Sequence, residues 1–225
     1  MANYYMPPKI NSVFIVAGEP SGDTHAAKLV LALKTISPKT KFFGNGGDKM
    51  AESGVEIIHH INDMSVMGFI EVIKQYPKLL KILQNTISSI KMIKPDKIIL
   101  VDYPGFNLRL AKKIKKLKLG IPITYFILPQ LWAWKENRIK LMKKTIDQSI
   151  SIFPFETDWY KAKGLDTFYA GHPFIDKEYS NDKEKFFEKH RFKKDRPILI
   201  LLPGSRQQEI DYHWACFFKY NIRTQ

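Results

Sequence analysis

The sequence is poor in several things that would have directed its reading elsewhere. It has one cysteine, Cys216, so no disulfide can close within the chain, and a lone thiol fits a reducing compartment. No apolar run approaches the ~20 residues that a membrane-spanning helix needs. The opening Met1–Lys9 is too polar, and too broken by Pro7 and Pro8, for a secretory signal. A cytoplasmic location is therefore expected. There are no internal repeats or low-complexity tracts. Acidic residues are also scarce: 22 Asp and Glu face 36 Lys and Arg, a formal net charge of +14. No zinc-ligand spacing, aromatic RNA-binding signature or disordered basic arm accompanies that charge, so nucleic acid is not the expected partner. A solvated basic surface, an anionic membrane and a phosphorylated ligand remain open.

What is present is an ordinary globular balance, 44% hydrophobic and 26% charged over 225 residues, enough for a sizeable core in one domain or two. Val13–Ala17 is an apolar run that stops at Gly18-Glu19-Pro20-Ser21-Gly22-Asp23, and an amphipathic segment, Thr24–Ser37, follows. This pattern predicts a buried strand, a tight turn and a helix capped by Asp23. Lys41–Phe43 and Val55–Ile58 are short strand candidates. The glycines between them, Gly44, Gly46 and Gly47, lack both GxGxxG spacing and the Lys-Ser/Thr of a phosphate loop. Ile98–Val101 has no polar alternation and predicts a strand buried on both faces, closed by Asp102. Further strands are expected at Ile123–Leu128 and Ser149–Phe153, with helices at Leu108–Leu119 and Glu136–Thr145. The alternation of strand and helix predicts one doubly wound parallel α/β sheet.

The stretch Met64–Met92 is apolar and lysine-studded, with Pro77 expected to open a new helix. Its apolar face suits either a protein core or a lipid interface. Ser180–Arg196 is charged and polar, and a domain boundary is expected there. A fresh buried strand is then predicted at Ile198–Leu202. Glu19 and Asp102 fall at the carboxyl ends of two strands, where ligands bind in open α/β sheets, and either can accept a proton from a hydroxyl. Trp132 and Trp134 suit a sugar-stacking or acyl-lining role, or core filling. Gly204-Ser205-Arg206 suits phosphate binding through backbone N–H groups and a guanidinium.

Seven short motifs occur in one order: GEPSGD at Gly18–Asp23, GGDKM at Gly46–Met50, MGFIEV at Met67–Val72, VDYPGFN at Val101–Asn107, PQLWAW at Pro129–Trp134, GHP at Gly171–Pro173 and LPGSR at Leu202–Arg206. The ordered set resembles the lipid-A-disaccharide synthase family, inverting glycosyltransferases with two Rossmann-like domains (the GT-B type). The resemblance implies that residues 1–180 form an acceptor-side domain, 181–196 a linker or helix, and 197–225 the start of a nucleotide-sugar domain. It implies transfer of a diacylglucosamine unit from UDP-2,3-diacylglucosamine to the 6-hydroxyl of 2,3-diacylglucosamine 1-phosphate. It further implies Asp102 as general base, Glu19 as its partner on the acceptor, and Arg206 on the donor diphosphate. Further substrate contacts are implied at Ser21, Asn107, His172, Gly204 and Ser205. No metal and no cofactor are implied, the UDP-sugar being a substrate. Met67, Phe69, Ile70, Val72, Ile73, Tyr76, Leu79 and Leu80 become expected contacts with the inner face of the bacterial inner membrane. The family continues beyond the length of this chain, so a homodimer or a complementing C-terminal chain is an expected partner. A remnant that only binds membrane or acylated sugar phosphate is the alternative expectation.

Overall fold

A computed structural model of the chain describes residues 10–64, 69–175, 182–193, 195–204, 209–214 and 217, with backbone alone for 69–75. The chain divides into two compact units, Met1–Lys177 and Glu178–Gln225.

The first unit opens with β1 (Ser12–Ala17) and α1 (Pro20–Ile36), then β2 (Lys41–Gly46), α2 (Asp48–Glu52), β3 (Val55–His60) and α3 (Ile61–Met64). The long helix α4 (Phe69–Ile93) leads to β4 (Lys97–Val101) and α5 (Pro104–Lys116). After β5 (Ile123–Phe126), a 3-10 turn at Glu136–Arg138 opens α6 (Ile139–Thr145), and β6 (Gln148–Ser151), α7 (Pro154–Ala162) and β7 (Thr167–Tyr169) complete the unit. All strands are parallel, in the order β3-β2-β1-β4-β5-β6-β7, so β1 and β4 lie side by side at the centre.

The uninterrupted apolar runs of β1 and β4 are explained by helices on both sheet faces. Phe14 and Val16 of β1, with Ile98 and Leu100 of β4, point into a core shared with α4 to α7. Val13, Ile15 and Ala17, with Ile99 and Val101, point the other way onto Ala26, Ala27 and Val30 of α1. Strand side chains alternate between faces, so a strand covered on both sides has no position left for a polar residue. The structure thus has the doubly wound α/β architecture that the sequence predicts.

Several local expectations are corrected. Helix α1 begins at Pro20, with Glu19 at its N-cap position, so Asp23 sits inside the helix rather than capping it. Its carboxylate instead accepts hydrogen bonds from the backbone N–H of Gly47 (2.6 Å), Lys49 (3.1 Å) and Met50 (3.1 Å). Asp23 therefore caps α2, and the glycine segment spends its amides on a carboxylate of the protein. Pro77 starts no new helix; it lies inside α4. It supplies no N–H to the Ile73 carbonyl, and the helix persists because its remaining turns pack on the core. The apolar stretch around it divides by face: Met64, Ile82 and Leu83 are buried, whereas Tyr76 and Leu80 are exposed.

In the second unit, α8 (Lys183–Lys189) is capped by Asp182, whose carboxylate accepts from the Lys185 N–H at 3.0 Å. Phe187 is buried there, and the Phe186, His190 and Phe192 rings cluster within 6 Å of one another. The strand predicted at Ile198–Leu202 does not form: the backbone is irregular, with Leu199 and Ile200 72% and 74% exposed. An apolar run becomes a strand only when a neighbour takes its N–H and C=O groups, and no described residue does so.

Candidate functional site

The carboxyl ends of β1 and β4 place two turns beside each other. Gly18-Glu19 leaves β1 for α1, and Asp102-Tyr103 leaves β4 for α5. Asp102 and Tyr103 both adopt left-handed backbone, with φ of 45° and 47°. A side-chain-bearing residue there costs about 1–2 kcal/mol, and two in succession must be held by their surroundings. They are. The Asp102 carbonyl accepts hydrogen bonds from the Tyr125 hydroxyl (2.6 Å) and from Asn107 Nδ2 (2.7 Å). The Tyr103 hydroxyl donates to the Met64 carbonyl at 2.9 Å, and its ring packs closely against Gly18.

This strained turn presents a partly buried carboxylate. Burial, then the nearby Glu19 carboxylate, push the Asp102 carboxyl up to about 6, against the lowering effect of a hydrogen bond from the Tyr103 backbone N–H. The same two causes raise the Tyr103 phenol. A carboxylate whose titration lies near neutral pH can take a proton from an attacking hydroxyl.

The other expected site residues are placed as follows. Ser21 is exposed in the first turn of α1, near Glu19. Asn107 is fully buried, and its amide donates to the Val101 carbonyl (3.2 Å) as well as to that of Asp102. It faces backbone and not solvent, which corrects the expectation of a direct substrate contact. His172 stands between Phe153 and Phe174, with ring centroids 5.2 Å from each. Gly204 belongs to the second unit and has φ of 125°, a conformation suited to glycine. Ser205, Arg206 and Met67 lie outside the described residues, as do the side chains of Phe69, Ile70, Val72 and Ile73.

The two tryptophans that the sequence singled out join partners that it did not, among them Phe153, Phe155, Glu156 and Phe174, at this edge of the sheet. Neither tryptophan is core filling: Trp132 is 43% and Trp134 71% exposed. Trp132 donates its indole N–H to the buried Glu156 carboxylate at 3.1 Å, and Ser151 Oγ donates to the same group at 3.0 Å. Its ring meets Phe155 edge-on at 5.2 Å, and Phe155 stacks on Phe153 at 5.7 Å. An aromatic row thus runs from Trp132 to His172 and on to Phe174 and His25. The signal for it was the recurrence of aromatics just after β5, β6 and β7, which becomes a row only once strand order is known. Burial, Lys28 and His172 lower the His25 imidazole. A cavity of ≈ 350 Å³ lined by Ile114, Lys118, Pro122 and Asp147 opens at the opposite, amino-terminal edge of the sheet, away from the carboxylates. Among the described residues no group of three or more His, Cys, Asp and Glu side chains is arranged to hold a metal ion, and no helix is long and apolar enough to cross a membrane.

Fold and site together define a Rossmann-like α/β domain with a pair of acidic side chains at the carboxyl edge of its central strands. The family model described as lipid-A-disaccharide synthetase matches residues 13–224, and the chain belongs to that family. The lipid-A-disaccharide synthase of Myxococcus xanthus (strain DK1622) is 45% identical over 205 residues, covering 91% of this chain and 52% of the relative. Lipid-A-disaccharide synthase 1 of Legionella pneumophila (strain Paris) is 45% identical over 208 residues, covering 92% and 54%. The chain therefore spans about half the length of the curated relatives it matches. Among solved structures, UDP-N-acetylglucosamine 2-epimerase from Rickettsia bellii superposes with a TM-score of 0.52 at 16% identity, covering 82% of this chain and 52% of that one. At that identity the likeness speaks for the fold alone.

Proposed function

We propose that this chain carries the acceptor side of a glycosyltransferase of lipid A biosynthesis. The reaction moves a diacylglucosamine unit from UDP-2,3-diacylglucosamine to the 6-hydroxyl of 2,3-diacylglucosamine 1-phosphate, giving lipid A disaccharide 1-phosphate and UDP. Asp102 takes the proton of the 6-hydroxyl as that oxygen attacks the anomeric carbon, and the bond to UDP breaks on the opposite face, which inverts the centre. Glu19 acts beside it, keeping Asp102 basic enough to accept the proton and orienting the acceptor. Arg206 offsets the charge on the leaving diphosphate. Ser21, His172 and the Gly204-Ser205 backbone are the further substrate contacts.

The observation that carries this reading is the partly buried Asp102 carboxyl, raised to about 6 beside Glu19 at the centre of the sheet edge. The exposed Tyr76 and Leu80 on α4, with Leu79 between core and surface, suit contact with a lipid surface, where acylated substrates reside. The lysines of α5 and α6 suit the anionic head groups of the inner face of that membrane.

The test uses a protein of the relatives' full length that contains this chain, which spans about half of that length. Asp102→Asn should lower disaccharide formation on the order of a hundred- to ten-thousandfold. In the parent protein kcat/KM should fall as pH drops below about 6, because the base must be unprotonated. Undiminished turnover by Asp102→Asn removes Asp102 as the base. The exposed Tyr76 and Leu80 on α4 favour a second reading, in which the chain binds membrane or acylated sugar phosphate without turning over. Turnover of both lipid substrates by the isolated chain rejects that reading.

A further inference from the structure

We infer that Tyr125 and Asn107 are positioning residues for Asp102, holding its backbone in the left-handed turn and so fixing where its carboxylate stands. The inference rests on Asp102 being the base of the proposed reaction, although the clamp itself is a property of this chain.

The two side chains come from different elements, Tyr125 from β5 and Asn107 from α5, and both donate to the same carbonyl oxygen, at 2.6 and 2.7 Å. A carbonyl has two lone pairs, and here both are taken. If Asp102 relaxed to extended backbone, its carbonyl would swing away from both donors at once. Tyr125 would then lose its partner and Asn107 the shortest of its hydrogen bonds, which opposes relaxation. Neither donor can follow the movement, because Tyr125 and Asn107 are both 0% exposed. Asn107 is further tied to the Val101 carbonyl. The ring of Tyr103 against Gly18 closes the third side.

The clamp bonds the Asp102 backbone carbonyl, whereas the carboxylate of the same residue accepts from the Tyr103 N–H. It acts on the carboxylate by keeping it in a low-dielectric position near Glu19. The charged and titratable groups around the turn are Glu19 from the β1–α1 turn, Tyr103 from the turn itself and Tyr125 from β5, with Arg138 acting on Tyr125 from the turn before α6. No base is therefore built into the clamp: Tyr125 is held far above its ordinary phenol range by burial and by the charge of Asp102. It donates throughout the working pH range.

The experiment follows the side-chain carboxyl carbon of Asp102 by 13C NMR across pH in this chain, which needs no turnover. Tyr125→Phe keeps the ring that fills the core and removes only the hydroxyl. Its Asp102 midpoint should fall by about one unit or more toward the ~3.9 of a free aspartate, as the turn relaxes into water. Asn107→Ser should shift it in the same direction. Tyr160→Phe is the control: it deletes another core hydroxyl, bonded to the Pro129 carbonyl, and should leave the midpoint in place. An unchanged midpoint in both clamp variants overturns the inference, as does an equal shift in Tyr160→Phe or loss of the fold in Tyr125→Phe. In the complete protein, Tyr125→Phe should lower kcat with KM little changed. If Asp102→Asn turns over normally while the NMR shift appears, the base assignment fails and the clamp stands.

Discussion

Gly18 and Tyr103 are in contact so close that no other residue fits at position 18: a β-carbon there would lie 2.1 Å from Tyr103 Cδ1. The turn after β1 and the turn after β4 are thereby packed into one body, with Glu19 on one and Asp102 on the other. Gly18→Ala should lower stability by about 1–3 kcal/mol in urea unfolding, because the ring must leave its place. The same change made on Tyr103→Ala should cost much less. A double-mutant cycle that shows no coupling would mean that the two turns are independent.

Asp23 gives a second test of long-range capping. It is buried and bonds three N–H groups at the start of α2. Asp23→Ala should cost about 2–3 kcal/mol, since hydrogen bonds to a charged group are lost and buried donors are left unpaired. Amide hydrogen exchange at Lys49 and Met50 should speed up more than exchange within α1. Faster exchange confined to α1 would restore the local-cap reading.

The pH dependence of stability follows from the raised Asp102 carboxyl. Its folded value of about 6 lies above the ~3.9 of an unfolded aspartate, so the folded state holds a proton that the unfolded state releases. The contribution is fully present below about pH 4 and is lost as pH rises through about 6, a change of about 3 kcal/mol. Asp102→Asn, which cannot ionise and tolerates left-handed backbone, should be more stable than the parent at pH 7 by that order. The difference should vanish near pH 4. Urea unfolding of both proteins across this range measures it, and a constant difference would place Asp102 in water.

The faces of α4 make separate predictions. Leu80, exposed, and Leu83, 6% exposed, lie one turn apart. Tyr76→Ser with Leu80→Ser should leave the melting temperature nearly unchanged and weaken sedimentation with phosphatidylglycerol vesicles. Leu83→Ser should destabilise by about 3 kcal/mol or more, because it opens a cavity and buries a hydroxyl. Vesicle binding undiminished in the double variant assigns membrane contact to another surface.

What could be read from the chain alone was local and periodic. The apolar runs of β1 and β4, the turns that stop them and the alternation with helices dictate a parallel sheet buried on both faces, because only such a sheet has no use for polar alternation. The order of short motifs marked the family. Partnership across the sheet was not legible, because it depends on strand order. Asp23 reads as a cap for its own helix until β2 is placed beside β1, where its carboxylate meets Gly47. Asn107 reads as a polar residue near a site until burial turns it toward the Asp102 carbonyl. Ile198–Leu202 reads as a core strand, and stays irregular because a strand is made by its neighbours and not by its own sequence. Composition and periodicity determined most of the strands and helices in the first unit, the start of α1 and the continuity of α4 through Pro77 excepted. Only the tertiary structure decided that Asp102 stands left-handed, clamped and raised beside Glu19, because burial and neighbouring charge are properties of the packed chain.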